Sequence, residues 1–346
     1  MSELIKQLKN NFTYKNEIFT QDNTDGYWSN FSSEDQHILF NGLVNSSLDD
    51  VIRDRFPQYY DIIFSNSRAA GLELLDIKKD EIGIDYGCMW GNMLIHASKI
   101  CREMLGVDQT LDSLKVLQHR IKENKINNIH LLNANLRNII NLNNQFDFAI
   151  VNGVLEWVPE TREVVVKDYY RKKGQNVGST NKNPKTHQLT FLKQVCRHLT
   201  TDGRLYLAIE NRYDYQHFLW KRDIHPNLMY TAFLPRSISN IISQIFRKRP
   251  YTNYIYSSKE LQRLLKLAGF KSSVLYAVFP DYRFPQKIIK LGSKDTSHYE
   301  PVYAKMKRDD LIAKVFRKIR YLLDILIYKK LKLFSLAPSF IIIAKK

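Results

Sequence analysis

From about Glu81 onward, short apolar runs rich in β-branched residues alternate with longer stretches whose apolar positions recur at helical spacing. "EIGIDY" is followed by a helical "GNMLIHASKI", and "EMLGVDQ" by a helical "LDSLKVLQHRIKEN". "NIHLLNAN", "FDFAIVNGVLEW", the helix "THQLTFLKQVCRHL" and the strand "GRLYLAIEN" continue the series. Near-continuous apolar strands separated by amphipathic helices predict a parallel sheet covered on both faces. The later helix "SSKELQRLLKLAGF" has a capping-box pair, Ser257 with Glu260, and a terminating Gly269. It leads into a strand, "SVLYAVF", and "SFIIIAKK" supplies a closing strand.

The rest of the chain departs from this rhythm. Residues 1–79 read as a polar-aromatic, helical N-terminal extension ending in the helix "SNSRAAGLELL", and 80–346 as the main domain. That domain carries insertions at about 159–184, 213–256 and 280–338. The first is basic and contains Gly and Asn, as a loop does. The second predicts a short helix after Pro235 with Ile238, Ile241, Ile242, Ile245 and Phe246 on one face. The third predicts a helix with Ile312, Val315, Phe316, Ile319, Leu322, Leu323, Leu326 and Ile327 at helical spacing. Lys314, Arg317, Lys318 and Arg320 stand between them.

Composition adds two points. With 52 Lys and Arg against 35 Asp and Glu, the formal charge is +17, an excess suited to nucleic acid, an anionic membrane surface or a phosphate-rich substrate. Cys88, Cys101 and Cys196 have neither metal-type spacing nor an even count, which fits a reducing cytoplasm. "MSELIKQLKNNF" contains no continuous apolar stretch, so no secretory signal is expected, and no apolar run approaches membrane-spanning length.

The candidate chemistry lies at the strand ends. In a doubly wound sheet the ligand sits beyond the C-terminal ends of the strands, where their order reverses. The first strand ends at Asp85 and Tyr86, and the turn Gly87 to Gly91 follows, with Met89 where a nucleotide loop would carry a central glycine. A side chain there would clash with a pyrophosphate but is better tolerated by a cofactor without phosphates, which points to S-adenosylmethionine (SAM) rather than NAD. Asp108, closing the second strand, is placed to accept from ribose hydroxyls, although an acid there serves NAD as well. Asn135, closing the third, is placed to bond an adenine amine, and Asn152 and Gly153 line the methionine end. Trp90 and Trp157 read as packing residues rather than adenine stackers.

Taken together, "IGIDYGCMWGN", "GVDQT", "NAN", "FDFAIVNGVLEWV" and "GRLYLAIEN" resemble the motif series of class I SAM-dependent methyltransferases. The resemblance implies an α/β, Rossmann-like, doubly wound seven-stranded sheet and SAM as cofactor, held by Asp85, Gly87, Gly91, Asp108, Asn135 and Asn152. "NGVLEWV", "IENRYDYQHF", "PDYRFPQKII" and "LAPSFIIIAKK" look like a bacterial subgroup tied to surface-polysaccharide and lipopolysaccharide biosynthesis. Two departures are Met89 at the central glycine and Asn135 at the usual acid of the third strand.

The expected reaction is O-methylation of a sugar or glycan acceptor, lipid-linked in one version, at the inner face of the cytoplasmic membrane. Glu156, His187 and Glu210 are candidate bases, and Arg283 in "FPDYRFPQ" a candidate clamp for an acceptor phosphate or carboxylate. Arg212 is an alternative partner for Glu210, and a loop tied by a buried tyrosine is the structural alternative for "FPDYRFPQ". The helix near 310–334 is either a membrane-surface element or a core-packed helix with a solvated basic face. The other readings are an RNA methyltransferase, against which "RKKGQNVGSTNKNPK" lacks interleaved aromatics, and a non-catalytic interaction module. No Asp/Asn-Pro-Pro-aromatic stretch follows the fourth strand, and no metal-ligand cluster is visible along the chain.

Overall fold

Every residue of the apolar run Ile82–Tyr86 is buried, and the run lies in the middle of a ten-stranded sheet. The computed structural model describes residues 2–21, 33–143, 145–159, 183–293, 299–303 and 311–346. The basic stretch of the first insertion, 160–182, lies outside the described residues, as does 304–310 of the third.

The chain opens with α1 (Glu3–Asn11) and an antiparallel hairpin of β1 (Thr13–Lys15) and β2 (Ile18–Thr20). The helices α2 (Ser33–Gly42), α3 (Leu48–Arg55) and α4 (Tyr60–Phe64) follow, then a tight 3-10 stretch, Asn66–Leu75, where "SNSRAAGLELL" predicts an α-helix. The alternating core comprises β3 (Ile82–Tyr86), α5 (Asn92–Ser98), β4 (Glu103–Asp108), α6 (Leu111–Glu123), β5 (Ile129–Asn133), β6 (Phe146–Asn152), α7 (Pro184–His198) and β7 (Leu199–Glu210). Next come α8 (Tyr215–Leu219), a small hairpin of β8 (Arg222–Asp223) and β9 (Leu228–Met229), α9 (Arg236–Arg247), α10 (Ser258–Ala268), β10 (Ser272–Phe279) and β11 (Lys287–Lys290). The described chain closes with α11 (Leu311–Asp324), a wider helical turn at Ile325–Lys330, and β12 (Ser339–Lys345).

The strand order is β1-β2-β5-β4-β3-β6-β7-β12-β10-β11. The pairs from β2–β5 through β6–β7 are parallel, whereas β12 runs antiparallel between β7 and β10. The run from β5 to β10 is the expected seven-stranded doubly wound sheet. The remaining strands are additions: β11 extends one edge, and the β1–β2 hairpin caps the other. An extension helical throughout is therefore corrected by residues 13–20, which join the main sheet and cover the β5 edge, leaving the short, exposed β1 as the edge strand.

Because β3 is followed by β4 on one side and β6 on the other, the order reverses between β3 and β6, and a crevice opens beyond their C-terminal ends. One wall comes from the extension. Leu39, Leu48, Val51, Ile52, Phe56 and Ile63 pack with Trp90 of the β3–α5 turn and Val116 of α6. Met89 is half-buried against this cluster.

Candidate functional site

The turn after β3 departs from ordinary backbone at three alternate positions. Gly87, Met89 and Gly91 have φ of 70°, 47° and 79°, in the left-handed region that L side chains adopt at a cost of about 1–2 kcal/mol. At Gly91 no side chain fits comfortably, since a Cβ would lie 2.3 Å from Leu117 Cδ1. Met89 tolerates the conformation because its backbone N–H donates to Asp108 Oδ2 (2.9 Å) while its side chain reaches the α2–α4 cluster. The central position that lacks its glycine thus anchors the extension to the turn. Trp90 is buried in the same cluster, as a packing residue is.

Asp85, Gly87, Met89, Trp90, Asn92 and Asn152 line one cleft together with Ile62, Ile63 and Arg68 from the extension. Asp85 is buried, and burial raises its carboxyl well above the usual range, opposed by the nearby charge of Arg68. Burial in turn lowers the Arg68 guanidinium, and Nη1 of that residue is buried without a hydrogen-bond partner. Both polar side-chain atoms of Asn152 are likewise buried and unpartnered. A cleft offering a carboxylate, a guanidinium nitrogen and an amide with open hydrogen-bonding capacity fits a zwitterionic ligand, such as the amino-acid end of SAM.

The ribose and adenine candidates are engaged locally. Asp108 accepts from Met89 N–H through one carboxylate oxygen and from Thr110 N–H through the other (2.8 Å). The Thr110 side chain and the Gln109 backbone N–H also hydrogen-bond to this carboxylate, so Asp108 is held by the turn on several sides. The third strand ends at Asn133, not Asn135: the Asn133 amide donates to Asp108 O (3.1 Å), and Asn135 stands in the following turn, accepting from Arg137 N–H (3.0 Å).

Residues 84–172 match the model described as a methyltransferase domain. That stretch runs from β3 to beyond β6, so the similarity covers the turn after β3 and the crevice and not the rest of the chain. Solved structures with a similar course include a SAM-dependent methyltransferase from Thermotoga maritima, 13% identical, with 85% of this chain and 96% of that one aligned and a TM-score of 0.43. A SAM-dependent methyltransferase from Aquifex aeolicus is 15% identical over 66% and 91%, TM-score 0.40. Likenesses this distant carry no weight beside the family match. No curated protein matches the chain.

Beyond Asn152, the fold assembles a second group. Glu156, in the turn after β6, is fully buried, and both its carboxylate oxygens lack partners. Glu210, at the end of β7, accepts from the Tyr282 hydroxyl through Oε1 (3.2 Å) and leaves Oε2 unpartnered. His225, between β8 and β9, completes the group, with ligand-type atoms of all three within 4.8 Å of one another. Burial and the neighbouring Glu210 both raise the Glu156 carboxyl. Burial works against charge on His225, but the hydrogen bond and charge of Asp223 outweigh it and raise the imidazole to about 9. Trp157 is not a core packing residue: it is part-exposed, with its ring 5.0 Å from that of His225.

The other candidates lie differently. His187 is on α7 and is not a member of the converging group. Arg283 pairs with Asp281 at 2.9 Å, which raises the guanidinium despite burial. Between them in the chain, Tyr282 is buried and ties the loop to Glu210; its hydroxyl lies so close over Gly153 that a Cβ there would be 2.4 Å away. Arg212 pairs not with Glu210 but with Glu260 (2.5 Å), the capping-box acid of α10. Sequence reasoning missed Arg68, Asp223 and His225. Arg68 sits inside a segment read only as a helix, and nothing local marks His225 as the partner of two distant glutamates.

Proposed function

We propose that this methyltransferase methylates a hydroxyl of a sugar or glycan acceptor in cell-surface polysaccharide assembly. The observation that carries the reading is the unpaired hydrogen-bonding capacity of Asn152, Glu156 and Glu210 beside the cofactor crevice. Buried acceptor oxygens without donors are costly unless a ligand supplies them, and a polyhydroxylated acceptor is rich in donors. SAM, when bound, supplies a methyl group on a sulfonium sulfur for in-line displacement. Asp85 would hold its amino group, Arg68 its carboxylate, Asp108 its ribose and Asn135 its adenine amine. Glu156 and Glu210 orient the acceptor hydroxyl and one of them takes its proton as the methyl group is transferred, while the Tyr282 loop and the extension restrict water. Arg283, held by Asp281, is the clamp for an acidic group on the acceptor, and His187 remains the alternative base.

A lipid-linked acceptor at the inner membrane face is supported by the surface of the insertions. On α9 the inward positions are Ser239 and Ser243, fully buried, while Ile238, Ile241, Ile245 and Phe246 face outward. On α11, Phe316 packs on Trp220 (4.7 Å), but Val315, Ile319 and Leu322 are exposed beside the exposed Lys314 and Lys318. The exposed Phe218 of α8, its ring tilted 4.3 Å from that of Phe233, adds to this apolar surface. Among the described residues no helix is long and apolar enough to cross a membrane. Exposed apolar stripes on a chain of formal charge +17 suit shallow insertion into an anionic leaflet.

The test is methyl transfer from labelled SAM by the full chain to nucleotide sugars, lipid-linked glycan extract and bulk RNA in parallel. Label is expected in the glycan fractions and lost in Asn152→Ala and Glu156→Gln variants. Label in RNA alone would overturn the acceptor assignment.

A further inference from the structure

The geometry points to a divalent transition-metal site formed by Glu156, Glu210 and His225, next to the crevice. Along the chain these residues are far apart, yet they present ligand atoms within 4.8 Å of one another, and all three are buried. Both Glu156 oxygens, Glu210 Oε2 and His225 Nε2 have no hydrogen-bond partner. Metals such as zinc hold oxygen and nitrogen ligands at about 2.0–2.2 Å, so the three side chains would close by about 1 Å around one cation.

The surroundings are those of a metal-bound imidazole. His225 Nδ1 is 2.9 Å from Asp223 Oδ1, and Asp223 Oδ2 accepts from the Tyr251 hydroxyl at 2.7 Å. With Nδ1–H donated to that carboxylate, Nε2 is the ring nitrogen left for a ligand, and a cation there would displace its proton to give a carboxylate–histidine–metal arrangement. Asp223 and His225 are each only 1% exposed at the side chain. Tyr282 fixes Glu210 through its other oxygen (3.2 Å), so the unpartnered Oε2 stays turned toward the site. Two carboxylates neutralise a divalent ion, and an imidazole ligand favours zinc, iron, copper or nickel over magnesium and calcium. Three protein ligands leave a position open, where the acceptor hydroxyl would bind; that use, unlike the site, rests on the methyl-transfer reading.

The test is cobalt titration of the chelator-stripped full chain, followed by its visible absorption, with elemental analysis of the chain as purified. One cation per chain is expected. Affinity should fall at least about tenfold in His225→Ala and Glu156→Gln, and about 10–100-fold in the positioning variant Asp223→Asn. SAM titration of each variant reports whether it has folded, and the wild-type stoichiometry decides even if none does. No saturable cobalt binding by the wild type overturns the site, as does equal binding by His225→Ala, the mark of an adventitious ion only. Cobalt binding by a chain that transfers no methyl group would uphold the site and remove the acceptor reading instead.

Discussion

His198, the last residue of α7, is fully buried and ties that helix to the central strand. Its Nδ1 accepts from the Tyr86 hydroxyl (2.6 Å), and its Nε2–H donates to Ile140 O (3.1 Å). Both ring nitrogens are therefore committed in the neutral form, and burial, reinforced by Arg197, lowers the pKa from 6.5 to about 4. Below pH 6.5 the unfolded chain takes up a proton that the folded chain refuses. The stabilising contribution is thus complete above the unfolded value, and it is lost as pH falls toward the folded one. The shift corresponds to about 3 kcal/mol in full and ~2 kcal/mol at pH 5. In His198→Gln this titration is absent, while lost packing and hydrogen bonds cost about 1–2 kcal/mol at neutral pH. Urea unfolding followed by tryptophan fluorescence, at fixed salt from pH 8 to pH 4.5, should show the stability gap between the two proteins closing and then reversing. Parallel curves across that range would refute a neutral, buried His198.

The remaining predictions concern the turn, the crevice and the surface. Gly91→Ala must hold φ near 79° and push Leu117 aside, so it should cost about 1–3 kcal/mol and weaken SAM binding; an unchanged melting temperature would contradict the packing at that turn. Asn152→Ala should reduce SAM affinity by about tenfold in calorimetric titration without loss of stability, because its amide has no partner in the fold. Ser257→Ala removes a capping box, in which Ser257 Oγ accepts from Glu260 N–H and the Glu260 carboxylate from Ser257 N–H, and should cost about 1 kcal/mol by thermal denaturation. Ile241→Glu with Phe246→Glu should abolish co-sedimentation with anionic vesicles at unchanged stability; persistent binding would place the membrane surface elsewhere.

The alternating pattern alone determined the parallel core, because strands buried on both faces must be apolar throughout and their covering helices apolar on one side. Asp85, Asp108 and Asn152 were legible as strand ends for the same local reason, and Gly87 and Gly91 because a tight turn demands positive φ. Periodicity, however, gives a helix an apolar face without saying what that face meets. On α9 only the tertiary structure reveals that the serines go inward and the isoleucines outward. In α11 the single apolar set divides between Phe316, turned to Trp220, and Val315, Ile319 and Leu322, turned to solvent. Met89 looked like a defect in a nucleotide loop until packing with the extension gave its side chain a place. Glu156, Glu210 and His225 meet because neighbouring parallel strands deliver Glu156 and Glu210 to the same end of the sheet and an insertion folds His225 back over them. Local sequence determines which elements form, but convergence of residues far apart in the chain depends on how those elements pack, and that only the tertiary structure decided.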